Sequence, residues 1–332
     1  MNLQDRIQLL VKLGNYMQND DANWQNTKAL ANNKNGWFIP SFIEQACKNI
    51  VDNFLNETVL SSFAKAYNIP NENTNPKLVG IVMAGNIPLV GFHDFLCVFL
   101  SGNDCLIKAS SKDEVLIKHL FTTLYSWEVT VQNKVSFAQT LKGCDAYIAT
   151  GSNNSSRYFE YYFSKYPSII RQNKTSVAIL TGNETRDQLN ALATDIQLYF
   201  GQGCRNVTHL FVPENYNFDG LLSALNQYQY LLDFHKYKNN YDYQLTLLLL
   251  NQKKYLTNGN ILLCQEANIF SPISQINYSV YVKIEDAIEI ATTKQEIQCI
   301  VGSNFIPFGE AQNPSISTFA DGVDTMQFLL NL

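Results

Sequence analysis

Gly201-Gln202-Gly203-Cys204 sets a thiol directly behind two glycines. A loop of that composition can bring backbone N–H groups beside the sulfur, an environment that lowers a thiol pKa and makes a nucleophile. A cysteine is equally a small apolar filler, so these four residues alone leave both roles open. Two further segments could meet a ligand. In Ala84-Gly85-Asn86-Ile87-Pro88, Gly85 permits close backbone approach and Asn86 carries an amide donor ahead of a proline. In Thr150-Gly151-Ser152, a hydroxyl and successive backbone N–H groups could meet a phosphate at a helix start. Lys108 ends an apolar run, where it could hydrogen-bond a ribose or merely emerge at a strand terminus. Neither GxGxxG nor GxxxxGK[ST] occurs, so ordinary strand-to-helix turns explain these segments as well as nucleotide binding does. The histidines at 93, 119, 209 and 235 lack zinc-ligand spacing, and the sequence offers no metal site. His209 follows Cys204 closely, but the reading for it and the other histidines is core or surface.

The elements that must position these residues follow from pattern. The chain has 332 residues, 46% of them apolar and only 16% charged, enough for two domains at about 150 residues each. A net charge of -5 without a dense basic run argues against nucleic acid as a partner. Seven scattered cysteines without CxxC suit a reducing cytoplasm, and no apolar run approaches the roughly 20 residues that cross a bilayer. Leu3, Ile7 and Leu10 mark an amphipathic helix, followed by a polar Asn-rich stretch to about residue 39. Ser41 and Glu44 stand at capping-box spacing before the stripe Ile43, Cys47, Ile50 and Phe54. After the turn-rich break from Pro70 to Pro76 the rhythm changes. Leu78 to Ala84 reads as a buried strand, Pro88 to Leu100 as a helix stopped by Gly102, and Cys105 to Lys108 as the next strand. Strands at Ala146–Thr150 and Val177–Leu180, with a helix from about Asn154 to Lys165 between them, continue the alternation. The expectation is an α/β protein with a doubly wound parallel sheet. A helix bearing Leu189, Leu192, Ala193 and Ile196 and a strand at Val207–Val212 flank the cysteine. The boundary is expected near Gly201, giving domains 1–200 and 201–332. In the second, a helix through Tyr243–Leu250 and a strand at Ile261–Cys264 precede a loop-rich tail.

Several segments together resemble the aldehyde dehydrogenase superfamily. GQGC followed by RNVTHLFVP is similar to its active-site segment, and AGNIPLV to its Asn-containing cofactor loop. CLIKASS, Cys105 to Ser111, resembles the strand whose lysine holds the adenosine ribose, and ATGS the turn under the pyrophosphate. Asn268-Ile269-Phe270-Ser271-Pro272 resembles the segment whose phenylalanine packs at the nicotinamide ribose, and Pro307-Phe308-Gly309 the closing segment. Length, AGNIPLVGFHDF and the ending FADGVDTMQFL are most similar to the acyl-CoA reductase branch related to the LuxC-type fatty-acid reductase of bacterial bioluminescence.

The resemblance implies an aldehyde dehydrogenase-like fold, with a cofactor domain and a smaller catalytic α/β domain. It implies Cys204 as nucleophile and Asn86 as an oxyanion donor. Met83, Ala84, Gly85, Lys108, Thr150, Gly151, Ser152 and Phe270 would hold a nicotinamide cofactor. Ser110, Ser111 and Lys112 suit a 2'-phosphate, favouring NADPH over NADH. The implied reaction is reduction of a fatty or other acyl thioester to an aldehyde, with acyl-CoA or an acylated partner enzyme as donor. A carrier or acyltransferase using the same cysteine is the alternative, and a homo-oligomer stays open. Ile170 stands where hydrolytic members carry a general-base Glu, and Asn268 where they carry a ribose-holding Glu. Without that base, a Cys204 thioester should outlast water.

Overall fold

The computed structural model describes residues 1–332. It divides into two compact units, Met1–Asn173 with Pro314–Leu332, and Lys174–Asn313. Each unit has its own sheet and its own apolar core.

The first unit holds a parallel sheet of β1 (Leu78–Val82), β2 (Asp104–Lys108), β3 (Val135–Phe137), β4 (Ala146–Thr150) and β5 (Ser168–Arg171), in the order β3-β2-β1-β4-β5. Order reverses between β1 and β4, so the loops after these strands open a crevice of the kind in which doubly wound sheets bind ligands. The apolar runs become strands because parallel strands are covered on both faces. Val79, Ile81, Ile107 and Ile148 are completely buried. The helix Phe92–Ser101 covers them with Phe92, Phe95 and Phe99, and Gly102 ends it at φ +80°. Full burial of each such side chain is worth about 1.5–3 kcal/mol.

Several expectations are corrected within this unit. The Asn-rich stretch contains the helix Ala22–Lys34, because Asp21 caps its first turn through the N–H groups of Asn23 and Trp24, and Trp24 and Ala31 are buried. The helix Pro40–Phe54 has no side-chain cap, since its N-cap is Ile39, which carries no acceptor, and Ser41 already lies within the first turn; the Glu44 carboxylate pairs with the Lys28 ammonium instead. Residues 88–91 form turns instead of opening a helix: Leu89 sits at φ +57° and its N–H donates to Asp113 Oδ2 at 2.7 Å. The chain also returns to this unit at its end. Met326 and Leu329 enter its core, Tyr67 Oη donates to Asp324 at 2.7 Å, and Arg171 Nη2 donates to Thr325 at 2.9 Å.

The second unit is built on β6 (Thr175–Ile179), β7 (Val207–Pro213), β8 (Tyr255–Thr257), β9 (Leu262–Gln265), β10 (Gln275–Tyr281) and β11 (Ile297–Val301). Their order is β11-β6-β7-β10-β9-β8, and only the β8–β9 pair is antiparallel. The boundary expected at Gly201 therefore falls inside this unit, because β6 pairs with β7 and β11 and cannot belong elsewhere. The tail read as loop-rich supplies β10, the helix Ile284–Thr293 and β11. β10 lies between β7 and β9, so sheet context overrides its mixed QINYSVY pattern.

Candidate active site

Cys204 is half-buried in the second unit, in the loop between the helix Arg186–Gln197 and β7. The approach to it is left-handed at three successive residues: Tyr199 (φ +56°), Phe200 (φ +57°) and Gly201 (φ +72°). Bulky residues adopt that region only when their surroundings hold them there. Phe200 is buried with its ring edge-on to Phe234, and Tyr199 is buried as well.

Asn206 anchors the same loop from inside. Its Nδ2 donates to the carbonyls of Asp195, Ile196 and Leu198 at 3.0, 3.2 and 2.9 Å, carbonyls that the helix end would otherwise leave unsatisfied. Its Oδ1 accepts from Gly203 N at 2.7 Å. On the strand side, Ser176 Oγ lies 3.1 Å from the Cys204 carbonyl oxygen and 3.0 Å from Cys299 Sγ. The residue after the nucleophile candidate, Arg205, donates through Nε to Ala311 O. Cys204 thus projects from a segment whose immediate neighbours are tied down on both sides.

Phe270 is brought beside β7. Thr208 Oγ1 donates to Ile269 O at 2.6 Å, Asn277 Nδ2 donates to Asn268 O at 2.8 Å and to Phe270 O at 3.1 Å, and Phe270 packs on the core around Val177 and Phe211. His209 is not a surface group: it is fully buried, its Nδ1 lies 3.1 Å from Asn268 O, and its Nε2 has no partner. Burial pushes it down to about 4, so it is neutral near pH 7 and belongs to the core.

In the first unit the remaining residues converge at strand ends. Val82 is aligned with Lys108 on one side and Ala149 on the other, so Met83–Asn86, Lys108–Lys112 and Thr150–Ser152 leave three adjacent strands together. Met83 N donates to Lys108 O at 3.0 Å. A Cβ on Gly85 would lie 2.5 Å from Ser110 Oγ, so the Asn86 loop and the serine cluster meet without space for a side chain. Lys108, Ser111 and Lys112 are exposed, and Ser110 is half-buried. Ser152 caps the helix Asn153–Phe163, its Oγ accepting from Ser155 N at 3.3 Å. The main-chain cradle at Gly85, the hydroxyls, the lysines and a helix start fit the phosphates and riboses of a dinucleotide. Asp113, whose Cβ would lie 3.2 Å from a Cβ on Gly85, does not disturb that fit: it is buried, Leu89 N donates to it, and burial holds its pKa well above the usual range.

Asp113, Asp195 and Asn206, whose side chains bond to loops around these segments, are residues that the sequence did not point to. Only Asn206 had a signal, its position two residues after Cys204.

The two units have the architecture of the aldehyde dehydrogenase fold. Aldehyde dehydrogenase 21 from Physcomitrella patens, solved with the product succinate, superposes with a TM-score of 0.70 at 13% identity, over 100% of this chain and 84% of that one. An aldehyde dehydrogenase of Mycobacterium tuberculosis complexed with NAD+ gives 0.65 at 14% identity, over 91% and 73% of the two chains. Succinic semialdehyde dehydrogenase from Streptococcus pyogenes, with NADP+, gives 0.64 at 13%, over 90% and 76%. No curated protein matches the sequence. The LuxC acyl-CoA reductase family model matches residues 25–228, most of the chain, and the protein belongs to that family. It is accordingly an oxidoreductase.

Proposed function

We propose that the protein reduces a fatty or other long acyl thioester to an aldehyde with NADPH, through a thioester on Cys204. The observation that carries this reading is the half-buried Cys204, held by the bonds of Asn206, Ser176 and Arg205 in the segment that a family of acyl-CoA reductases shares.

The Cys204 thiolate attacks the acyl carbonyl, the bond from that carbon to the donor sulfur breaks, and the donor leaves as a thiolate that takes its proton from water. Oxyanion stabilisation is assigned to the Asn86 amide and the Cys204 backbone N–H, whose removal typically costs about 100-fold or more in rate. A bound reduced nicotinamide supplies the hydride that converts the acyl-enzyme to aldehyde. Lys108 and Thr150–Ser152 are assigned to its ribose and phosphates, Phe270 to its nicotinamide end, and Ser110, Ser111 and Lys112 to the 2'-phosphate. Acyl-CoA or an acylated partner enzyme is the donor in this reading, with a cytoplasmic location. No helix is long and apolar enough to cross a membrane.

The test is intact mass after mixing with a panel of acyl-CoAs in the absence of cofactor. One acyl adduct is expected, absent in Cys204→Ala, and addition of NADPH should discharge it as aldehyde. An adduct that survives in Cys204→Ala would move the nucleophile elsewhere.

A further inference from the structure

Asp195 lies on the helix that leads to the cysteine loop and is completely buried. Its carboxylate accepts two main-chain N–H groups from far along the chain, Gly309 at 2.6 Å on Oδ2 and Ala311 at 3.0 Å on Oδ1. The clasped segment is fitted to the helix: Gly309 has φ +89°, and a Cβ there would come within 3.0 Å of Ala191 Cβ. Ala311 is gripped a second time, at its carbonyl, by Arg205 Nε. The Asp195 carbonyl, meanwhile, accepts from the Asn206 side chain that holds Gly203 N. One residue therefore connects to both flanks of Cys204: to Gly203 through Asn206, and to Arg205 through Ala311.

We propose that Asp195 is a positioning residue, which with Arg205 clasps residues 309–311 and through that segment fixes the bearing of the Cys204 thiol. The proposal rests on Cys204 being the nucleophile. A carboxylate suits the task because two N–H donors converge on it, and charge-assisted bonds of this kind are stronger than neutral ones. An amide would turn an NH2 group toward one of those donors. Other groups in electrostatic reach are Arg205 on the nucleophile loop, Glu310 on the clasped segment, Cys299 on β11 and Tyr228. Burial raises the Asp195 pKa to about 7 against the lowering effect of its two N–H bonds. The clasp is thus at full strength only above neutrality, because protonation removes an acceptor.

The experiment compares wild type with Asp195→Asn in two reactions of Cys204: acylation by acyl-CoA and alkylation by iodoacetamide, with the acyl-CoA KM measured separately. Displacement of a reacting atom by about 1 Å can cost on the order of 100-fold, so both rates should fall by about 10- to 100-fold while KM is held. The wild-type to variant ratio should shrink below about pH 7, as the wild-type carboxyl itself becomes protonated. Hydrogen exchange should accelerate at the Gly309 and Ala311 amides. Rates within twofold of wild type in folded Asp195→Asn overturn the proposal, as does a ratio that ignores pH. If Asp195→Asn does not fold, Arg205→Lys keeps the charge and removes the Nε donor; unchanged rates there overturn the clasp equally. Wild-type Cys204 that is alkylated but never acylated sinks the proposed function instead, and the alkylation and exchange readouts still decide the clasp.

Discussion

The Arg171 guanidinium meets the Asp94 carboxylate inside the first unit, with Nη1 2.8 Å from Oδ1 and 2.6 Å from Oδ2. Both side chains are almost wholly buried, and Nη2 goes on to Thr325 Oγ1 at 2.9 Å. This triad joins the helix Phe92–Ser101, the end of β5 and the last helix of the chain, Thr325–Leu330. Asp94→Ala leaves a buried guanidinium without its counter-charge, and such losses run to about 3–5 kcal/mol. Urea denaturation should show a loss of that size. A change under about 1 kcal/mol would mean that water or another acceptor replaces the carboxylate.

Ile170 precedes that arginine and is half-buried on β5, aligned with Ala149. An aliphatic side chain takes no proton from water, and the general-base help it withholds is worth about 10² to 10⁴-fold in such a step. Given aldehyde and NADP+, the enzyme should form acyl-CoA when CoA is present and very little free acid when CoA is absent. Rapid acid release without CoA, followed by chromatography, would reveal a base elsewhere.

Lys112 is exposed, while its main chain is fixed: its N–H donates to Ser110 Oγ at 3.3 Å and its carbonyl accepts from Asn35 Nδ2 at 3.2 Å. Its charge is the one assigned to the 2'-phosphate. Lys112→Glu should weaken NADPH by about 10-fold or more and NADH by much less, since a repulsive group discriminates where an attractive one stood. Nicotinamide fluorescence titration measures both affinities. Equal weakening would place the phosphate away from Lys112.

His209 predicts a pH dependence of stability. Burial depresses its folded-state pKa to about 4, below the ordinary 6.5. Between those values the unfolded chain binds a proton that the folded chain does not, so stability rises with pH across that window and is lost as pH falls from 6.5 toward 4. The contribution is at most about 3 kcal/mol. His209→Leu should flatten the unfolding free energy in that range relative to wild type, even if the lost bond to Asn268 O lowers it throughout. A parallel pH profile for the two proteins would show that another group carries the dependence.

The sequence by itself determined the elements whose instructions are local. LVGIV, the first five residues of the run read as a strand to Ala84, the residues before Lys108 and AYIAT form buried parallel strands because an unbroken apolar run has no other way to be covered on both faces. Gly102 ended its helix because a left-handed cap costs glycine nothing. Ordered segments around Asn86, Lys108, Gly151 and Cys204 identified the family, since side-chain types at strand ends survive being read one at a time. The helix hidden in the Asn-rich stretch failed that reading: its support is a cap at Asp21 and a buried face of Trp24, Lys28 and Ala31, of which the middle member is a lysine and breaks the apolar pattern. Only the tertiary structure decided where the units divide and what steadies the cysteine. β6 joins the second unit by pairing with β7 and β11. Asp195 finds Gly309 114 residues away, and Arg171 finds Thr325 across 154. A buried carboxylate or guanidinium must have a partner, but its own sequence neighbourhood does not say which one, because partners so far apart in the chain meet only once the sheets have brought their elements together.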